Sequence, residues 1–394
     1  MSAWRALCDT VVAALRDRGL LVLFIFAVPA YSFYYPLAYQ TQEVRDIPIE
    51  VVDLDCSGLS RRIAFDIGAA PSVRVVGRAD SLAAASDRLA SGHSAGIIVI
   101  PVGFQRDIPR GSPTAVTVFD TGAYPVQYKA VLTAVAPVVL TLAAQIGGKR
   151  LAREGAPPLV LYQAAHSRPP VIERGLFNVT GGYGNYVVAT AGILIVHQVL
   201  LMAAAALAGT WVEQRSGPLF EEPVARVGAV WGSASGLALF GLAALLYMIG
   251  FAFWFQDYPR GANLAGALMF APLMALTVAC LSLCLGGWFG VRERALQAML
   301  ATSVPLLFLS GQIFPAEAIP APMRALGALL PTTPGIAGFL KFNQRGASIG
   351  EAMPEVLHMV ALLVLYAVLA AVTWRRISNP AARSGRQHAK LRAS

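Results

Sequence analysis

Apolar runs close to twenty residues long recur along the chain, parted by short polar stretches. At ~1.5 Å rise per residue, such a run crosses a ~30 Å hydrocarbon core as a helix. Six runs read this way: 19–39, 186–209, 227–254, 263–290, 295–314 and 356–374. Ahead of them, residues 1–18 read as an amphipathic helix in the inner interface. Trp4, Leu7, Cys8, Val11, Val12 and Leu15 share one side, and Arg5, Asp9, Arg16 and Asp17 lie elsewhere. A solvent-exposed helix face fits that stretch as well. Arg16, Arg18 and Val28-Pro29-Ala30 mimic the flank and cleavage site of a signal peptide, but the apolar run continues past them.

Between the first two runs the pattern changes. Residues 41–180 hold 26 of the 53 charged side chains, and their apolar runs are short. Ile49–Asp53, Val73–Val76, Ile97–Ile100 and Val116–Asp120 read as strands bounded by Gly, Pro and Asp. Leu59–Gly68 and Asp80–Gly92 read as helices between them, which predicts a small α/β domain. Ala123–Ala152 reads as one long helix. Its apolar part, Ala130–Ile146, is short for a span, contains Pro137 and is flanked by Lys129 and Lys149-Arg150, so it is assigned to the domain. The expected fold is a polytopic α-helical membrane protein with six transmembrane helices and an external α/β domain inserted between spans 1 and 2.

Composition agrees with a membrane chain: of 394 residues 56% are hydrophobic and 13% charged. The net charge of +9 does not point to nucleic acid. Segments expected inside carry thirteen Lys/Arg against six Asp/Glu, whereas residues 41–180 carry fourteen against twelve. The excess follows the positive-inside rule and predicts both termini in the cytoplasm, with 41–180 outside. The tail 375–394 has six Lys/Arg and no acid, suited to anionic lipid. Four cysteines give no disulfide framework, and Cys280 and Cys284 lack the neighbouring ligands a metal site needs.

Three places carry polar features against this apolar background. His197 and Gln198 fall near the middle of the second run, where polar side chains line a translocation path or hydrogen-bond between helices. The inner loop 210–226 reads Trp211-Val-Glu213-Gln214-Arg215-Ser-Gly217-Pro218-Leu219-Phe220-Glu221-Glu222-Pro223. It predicts a short amphipathic turn that exposes Leu219 and Phe220 for docking. The fifth run ends in Ser310-Gly311-Gln312-Ile313-Phe314-Pro315, followed by Ile319-Pro320 and Leu330-Pro331-Thr332-Thr333. Helix breakers at membrane depth need protein or a cavity to satisfy the freed backbone, so 315–355 reads as a partly re-entrant external hairpin.

That last signature resembles the type-2 ATP-binding-cassette permeases. Asp53-Leu-Asp55-Cys56-Ser57-Gly-Leu-Ser60-Arg61-Arg62 and Ala95–Phe104 resemble the external domain of the subfamily with a large insertion after its first span. Cys56 stands where that pattern usually has a polar residue. The inner loop resembles the family's coupling segment, with Gly217-Pro218 in place of its Gly-Thr. The resemblance implies coupling to an ATPase subunit through Glu213, Gln214, Arg215, Gly217, Leu219 and Phe220. It also marks Ser310, Gly311, Phe314, Pro315, Pro331, Thr332 and Thr333 as the outer-hairpin motif. Further implications are a permease dimer, of one chain or of paralogues, with two ATP-hydrolysing subunits, and a periplasmic adaptor in double-membrane bacteria. The expected location is the bacterial inner (plasma) membrane, among lipids, and the expected task is export of a small amphipathic, drug-like or lipid-like substrate.

No G-x-x-x-x-G-K-[S/T], H-E-x-x-H or C-x-x-C motif occurs, so no cofactor or metal is expected in this chain, and ATP and Mg fall to the partner. Asp53 and Asp55 are expected to cap the following helix. Two other readings stay open. One is a membrane-anchored external interaction domain without transport. The other is an ion-coupled transporter, although no Asp or Glu lies within the runs and no clear repeat is visible.

Overall fold

The computed structural model describes residues 2–39, 44–110, 112, 114–120, 125–153, 155, 157, 182–220, 226–311 and 318–378. The chain divides into two compact units, one of Met1–Gln40 with Gly175–Ser394 and one of Thr41–Arg174.

Helix α1 (Ala3–Arg16) starts at Ser2, whose hydroxyl accepts the Arg5 N–H, and stops at Asp17. Asp17 caps α2 (Arg18–Leu37) by accepting the N–H groups of Gly19 and Leu20. In the second unit, β1 (Ile47–Asp53), α3 (Gly58–Gly68), β2 (Val73–Arg78), α4 (Leu82–Ala90), β3 (Gly96–Ile100), α5 (Phe104–Arg110) and β4 (Thr117–Asp120) alternate, and α6 (Pro125–Arg153) follows. The sheet order is β2-β1-β3-β4, parallel except for β4, with a register shift at Ile49/Glu50. One face buries Ile49, Val51 and Ile98 against α3 and against Val131, Ala134 and Val135 of α6. The other face buries Val52 and Ile97 against Ala85 of α4. The Ser57 side chain caps α3 in a reciprocal box with Ser60. Asp53 instead accepts the Ser60 hydroxyl, and Asp55 accepts the Gln105 N–H at the start of α5. Neither aspartate caps α3 itself, which corrects the sequence-based expectation.

The first unit resumes with α7 (Tyr183–Gln214), followed by α8 (Arg226–Leu246), which a π-helical turn at Tyr247–Ala252 extends to Phe255. Next come α9 (Leu264–Phe289), α10 (Arg292–Leu309), α11 (Ala321–Ala328), α12 (Thr332–Phe339) and α13 (Met353–Ile377). Helix α7 is the hub, buried along most of its length against α9, α10 and α8. Its 32 residues span ~48 Å, more than a ~30 Å core requires.

Among the described residues six helices are long and apolar enough to cross a membrane. Five lie at the expected runs 1, 2, 3, 4 and 6, and the remaining one is Gln127–Gly148 within α6. Helix α6 packs on the sheet through its first half, and the Ser72 hydroxyl bonds its Ala130 carbonyl, so it belongs to the α/β unit. Helix α10, at the expected fifth run, is not among the six. Arg292, Glu293 and Arg294 fill its first turn and it ends at Leu309, yet it buries Ala295, Met299 and Leu306 in the bundle.

Helix α1 packs on the protein through its small residues and leaves its bulky apolar side uncovered by the rest of the chain. Ala6, Thr10 and Ala14 are buried, whereas Trp4, Val12 and Leu15 remain exposed. The small face packs on α8 at Gly232 and Gly236. A Cβ at Gly232 would overlap the Ala3 carbonyl oxygen, so only glycine allows this backbone approach.

Candidate functional site

The turn after α7 is built from aromatic rings. Helix α7 ends at Gln214, and Arg215 adopts the left-handed conformation (φ 49°) as its cap. Ser216 N–H returns to the Trp211 carbonyl at 3.1 Å. Gly217 (φ 89°) then lies over the Trp211 indole, where a Cβ would come within 2.7 Å of the ring. This turns Pro218 and Leu219 inward. Leu219 is 3% exposed in the bundle core, and Phe220 meets Trp374 edge-on at 5.7 Å. Trp374 also packs edge-on against Trp211 at 6.5 Å, and its indole N–H donates to the Leu283 carbonyl at 2.9 Å. The exposed docking turn expected at Leu219 and Phe220 is therefore corrected at Leu219, which the bundle core buries, while Phe220 is half-buried against Trp374 of α13. Glu213, Gln214, Arg215 and Ser216 are what remains exposed. Glu221, Glu222 and Pro223 lie outside the described residues.

Close to this turn lies a polar junction that sequence reasoning missed. Arg292, at the start of α10, bonds both carboxylate oxygens of Asp17 and donates to the Thr210 hydroxyl at 3.3 Å. Thr210 is one helical turn from Glu213. The Arg292 guanidinium holds the Asp17 carboxyl below the usual carboxylate range. The only sequence signal was a charge directly beside two helix starts.

Farther along α7, His197 is 2% exposed, and neither ring nitrogen has a hydrogen-bond partner among the described residues. Gln198 donates to the Met299 carbonyl of α10 at 3.5 Å, while its side-chain oxygen has no such partner. Buried imidazole and amide groups without partners cost stability, which makes them candidates for a role beyond packing.

The described part of the outer motif lies at the end of α10 and the start of α12. Ser310 ends α10, donating its hydroxyl to the Leu307 carbonyl, and Gly311 is left-handed (φ 71°). Phe314 and Pro315 lie outside the described residues. Pro331 opens α12, Thr332 is fully buried, and the Thr333 hydroxyl bonds the Gly327 carbonyl at 2.7 Å. Helix α12 buries Ile336 and Phe339 in the bundle, and Tyr366 and His358 of α13 hold the α11 end through the Leu329 and Ala328 carbonyls. Thr333 thus ties α12 to α11, whose end α13 holds in turn, and the motif leaves His197 and Gln198 elsewhere. No group of three or more metal-ligating side chains occurs among the described residues.

Residues 18–372 match the family model described as ABC-2 family transporter protein. The chain belongs to the ABC-2 transporter family. A search of curated proteins returned no match. Membership makes this ABC-2 chain a multi-pass membrane component of an ABC transporter, a transport protein whose family works with an ABC ATPase. The ring-locked turn, the Asp17–Arg292 junction and the buried polar pair all lie in its helical unit.

Proposed function

We propose that this ABC-2 protein is the permease subunit of an ATP-driven exporter in a bacterial inner (plasma) membrane. Both termini are then cytoplasmic and residues 41–180 periplasmic. Two permease subunits, identical or paralogous, assemble with ATPase chains that bind ATP and Mg, and a periplasmic adaptor extends the path in double-membrane cells. The substrate is a small amphipathic molecule, drug-like or lipid-like. The supporting observation is that one helix of a family member carries both functional ends. Glu213 to Ser216 are exposed where α7 ends, and His197 and Gln198 are buried some sixteen residues, or ~24 Å, back along it. A push on the turn is transmitted by a rigid helix to the polar pair. Docking rests on the exposed polar residues Glu213, Gln214 and Arg215, and the rings of Phe220 and Trp374 carry the movement into α13.

The test is reversal of the exposed charges in the permease expressed with its ATPase. Charged pairs across an interface contribute on the order of 2 kcal/mol or more, so Glu213→Arg with Arg215→Glu should lower co-purification of the ATPase about tenfold or more. Substrate-stimulated hydrolysis should fall in parallel. Unaltered co-purification and stimulation would sink the coupling role.

A further inference from the structure

Helix α6 is unusual in how little of its apolar surface the protein covers. Its first half is seated on the sheet through Ala130, Val131, Ala134 and Val135. Beyond Val135, Val138, Val139 and Leu142 still pack, partly buried, against the same core. The opposite side is left exposed at Ala136, Leu140, Ala143, Ala144 and Gly147, in a stretch from Ala136 to Gly148 that contains no charge and only Thr141 and Gln145 as polar side chains. Leu140 is 58% exposed. A helical face this apolar needs a covering that water does not supply.

Charge selects the covering. From residue 121 to residue 153 the sequence has no Asp or Glu, and the apolar half runs directly into Lys149, Arg150 and Arg153. An apolar face that ends in a basic cluster is the pattern of a helix lying in the headgroup region of an anionic bilayer. The bilayer is also at hand, because residue 39 follows one apolar helix and residue 183 begins another. The sheet-bound first half keeps α6 from crossing it.

We propose that the exposed side of the second half of α6 is a membrane-surface contact: Leu140 and the small residues beside it, Ala136, Ala143, Ala144 and Gly147, enter the interface of an anionic bilayer, towards which the basic run at the end of the helix biases it. The α/β unit is then held to the membrane by a third point besides its two chain connections. The inference needs only a chain embedded in a bilayer and is independent of the transport reading.

The test uses the full chain in vesicles of 30% phosphatidylglycerol and 70% phosphatidylcholine. Cys8, Cys56 and Cys284 are changed to Ser, and a fluorophore is attached to Leu140→Cys or, as a control, to Ser86→Cys. Ser86 is exposed on α4, which packs on the opposite sheet face. The label at 140 should be quenched severalfold more by nitroxide-bearing lipids than by aqueous iodide, and the label at 86 should show the reverse. Replacing Lys149, Arg150 and Arg153 with Gln should lower lipid quenching at 140 in these vesicles and not in pure phosphatidylcholine. Quenching at 140 by iodide alone would overturn the proposal. Protection from both quenchers would overturn it too, by showing a protein cover such as a second copy. No effect of the basic residues would remove the anionic contact.

Discussion

Asp17 and Arg292 are 275 positions apart, yet their side chains meet in a two-pronged ion pair that joins the α1–α2 corner to the start of α10. Asp17 serves both partners, because the same carboxylate caps α2. Replacing it with Asn keeps the shape and removes the charge. Hydrogen bonds to charged groups contribute about 1.5–3 kcal/mol, so D17N should lower unfolding stability by about 2 kcal/mol, read from thermal melts in detergent. The pH dependence has a definite sign. The guanidinium depresses the carboxyl pKa in the folded state, so this stability is complete above the ordinary value of 3.8 and is lost as pH falls through the lower folded value. The acid limb of the wild-type melt should therefore contain a step that D17N lacks. A flat difference between the two proteins from pH 7 to pH 2 would refute the assignment.

Gly232 holds α1 against α8 with no room for a side chain. Gly232→Ala should push α1 away at a cost of about 1–3 kcal/mol, the usual range for overpacking. Limited trypsin digestion is a direct check, since Arg5 and Arg16 become cleavable when α1 is released. Equal digestion of variant and wild type would show that the helix accommodates the methyl group.

His197→Leu separates a transport role from packing. Exchanging a buried polar group without partners for an apolar one of similar size removes a desolvation penalty of about 1–3 kcal/mol. The melting temperature should stay level or rise, and export by the assembled transporter should fall. Undiminished export would assign His197 to packing alone.

Sidedness is tested in whole cells with an impermeant thiol reagent on single-cysteine variants. Ser112→Cys, an exposed position in the α/β unit, should be modified, and Ser384→Cys in the basic tail should not. Labelling at position 384 in intact cells would sink the orientation drawn from the charge excess.

What the sequence made legible was local. The apolar runs at Ile49, Val73 and Ile97 lie on β1, β2 and β3, because bounded β-branched runs suit few other structures. Pro137 and the lysine flanks kept α6 in the α/β unit, where Val131 and Val135 meet the sheet. The site was less legible because its contacts are long-range. Nothing near Leu219 indicates burial; that follows from a left-handed Gly217, and its neighbour Phe220 meets Trp374, which arrives from the other end of the chain. The protein contact of α1 was hidden for a related reason. Hydropathy marks the bulky side at Trp4 and Leu15, and only the glycines of α8 at four-residue spacing show that the small side at Ala6 and Thr10 meets the protein.

The edges of the sheet have a consequence for proteins crowded in two dimensions. Molecules confined to one membrane hold their α/β units at nearly the same height, where exposed strand edges could zip together laterally. Strand β2, at one edge, carries Arg74 and Arg78 and is thrown out of register with β1 at Glu50, while β4, at the other, is only four residues long. Charge, irregularity and brevity each make an edge a poor template for a further strand. High expression should therefore leave these permeases laterally separate, so that assembly is governed by their helices and not by fibril-like stacking of their sheets.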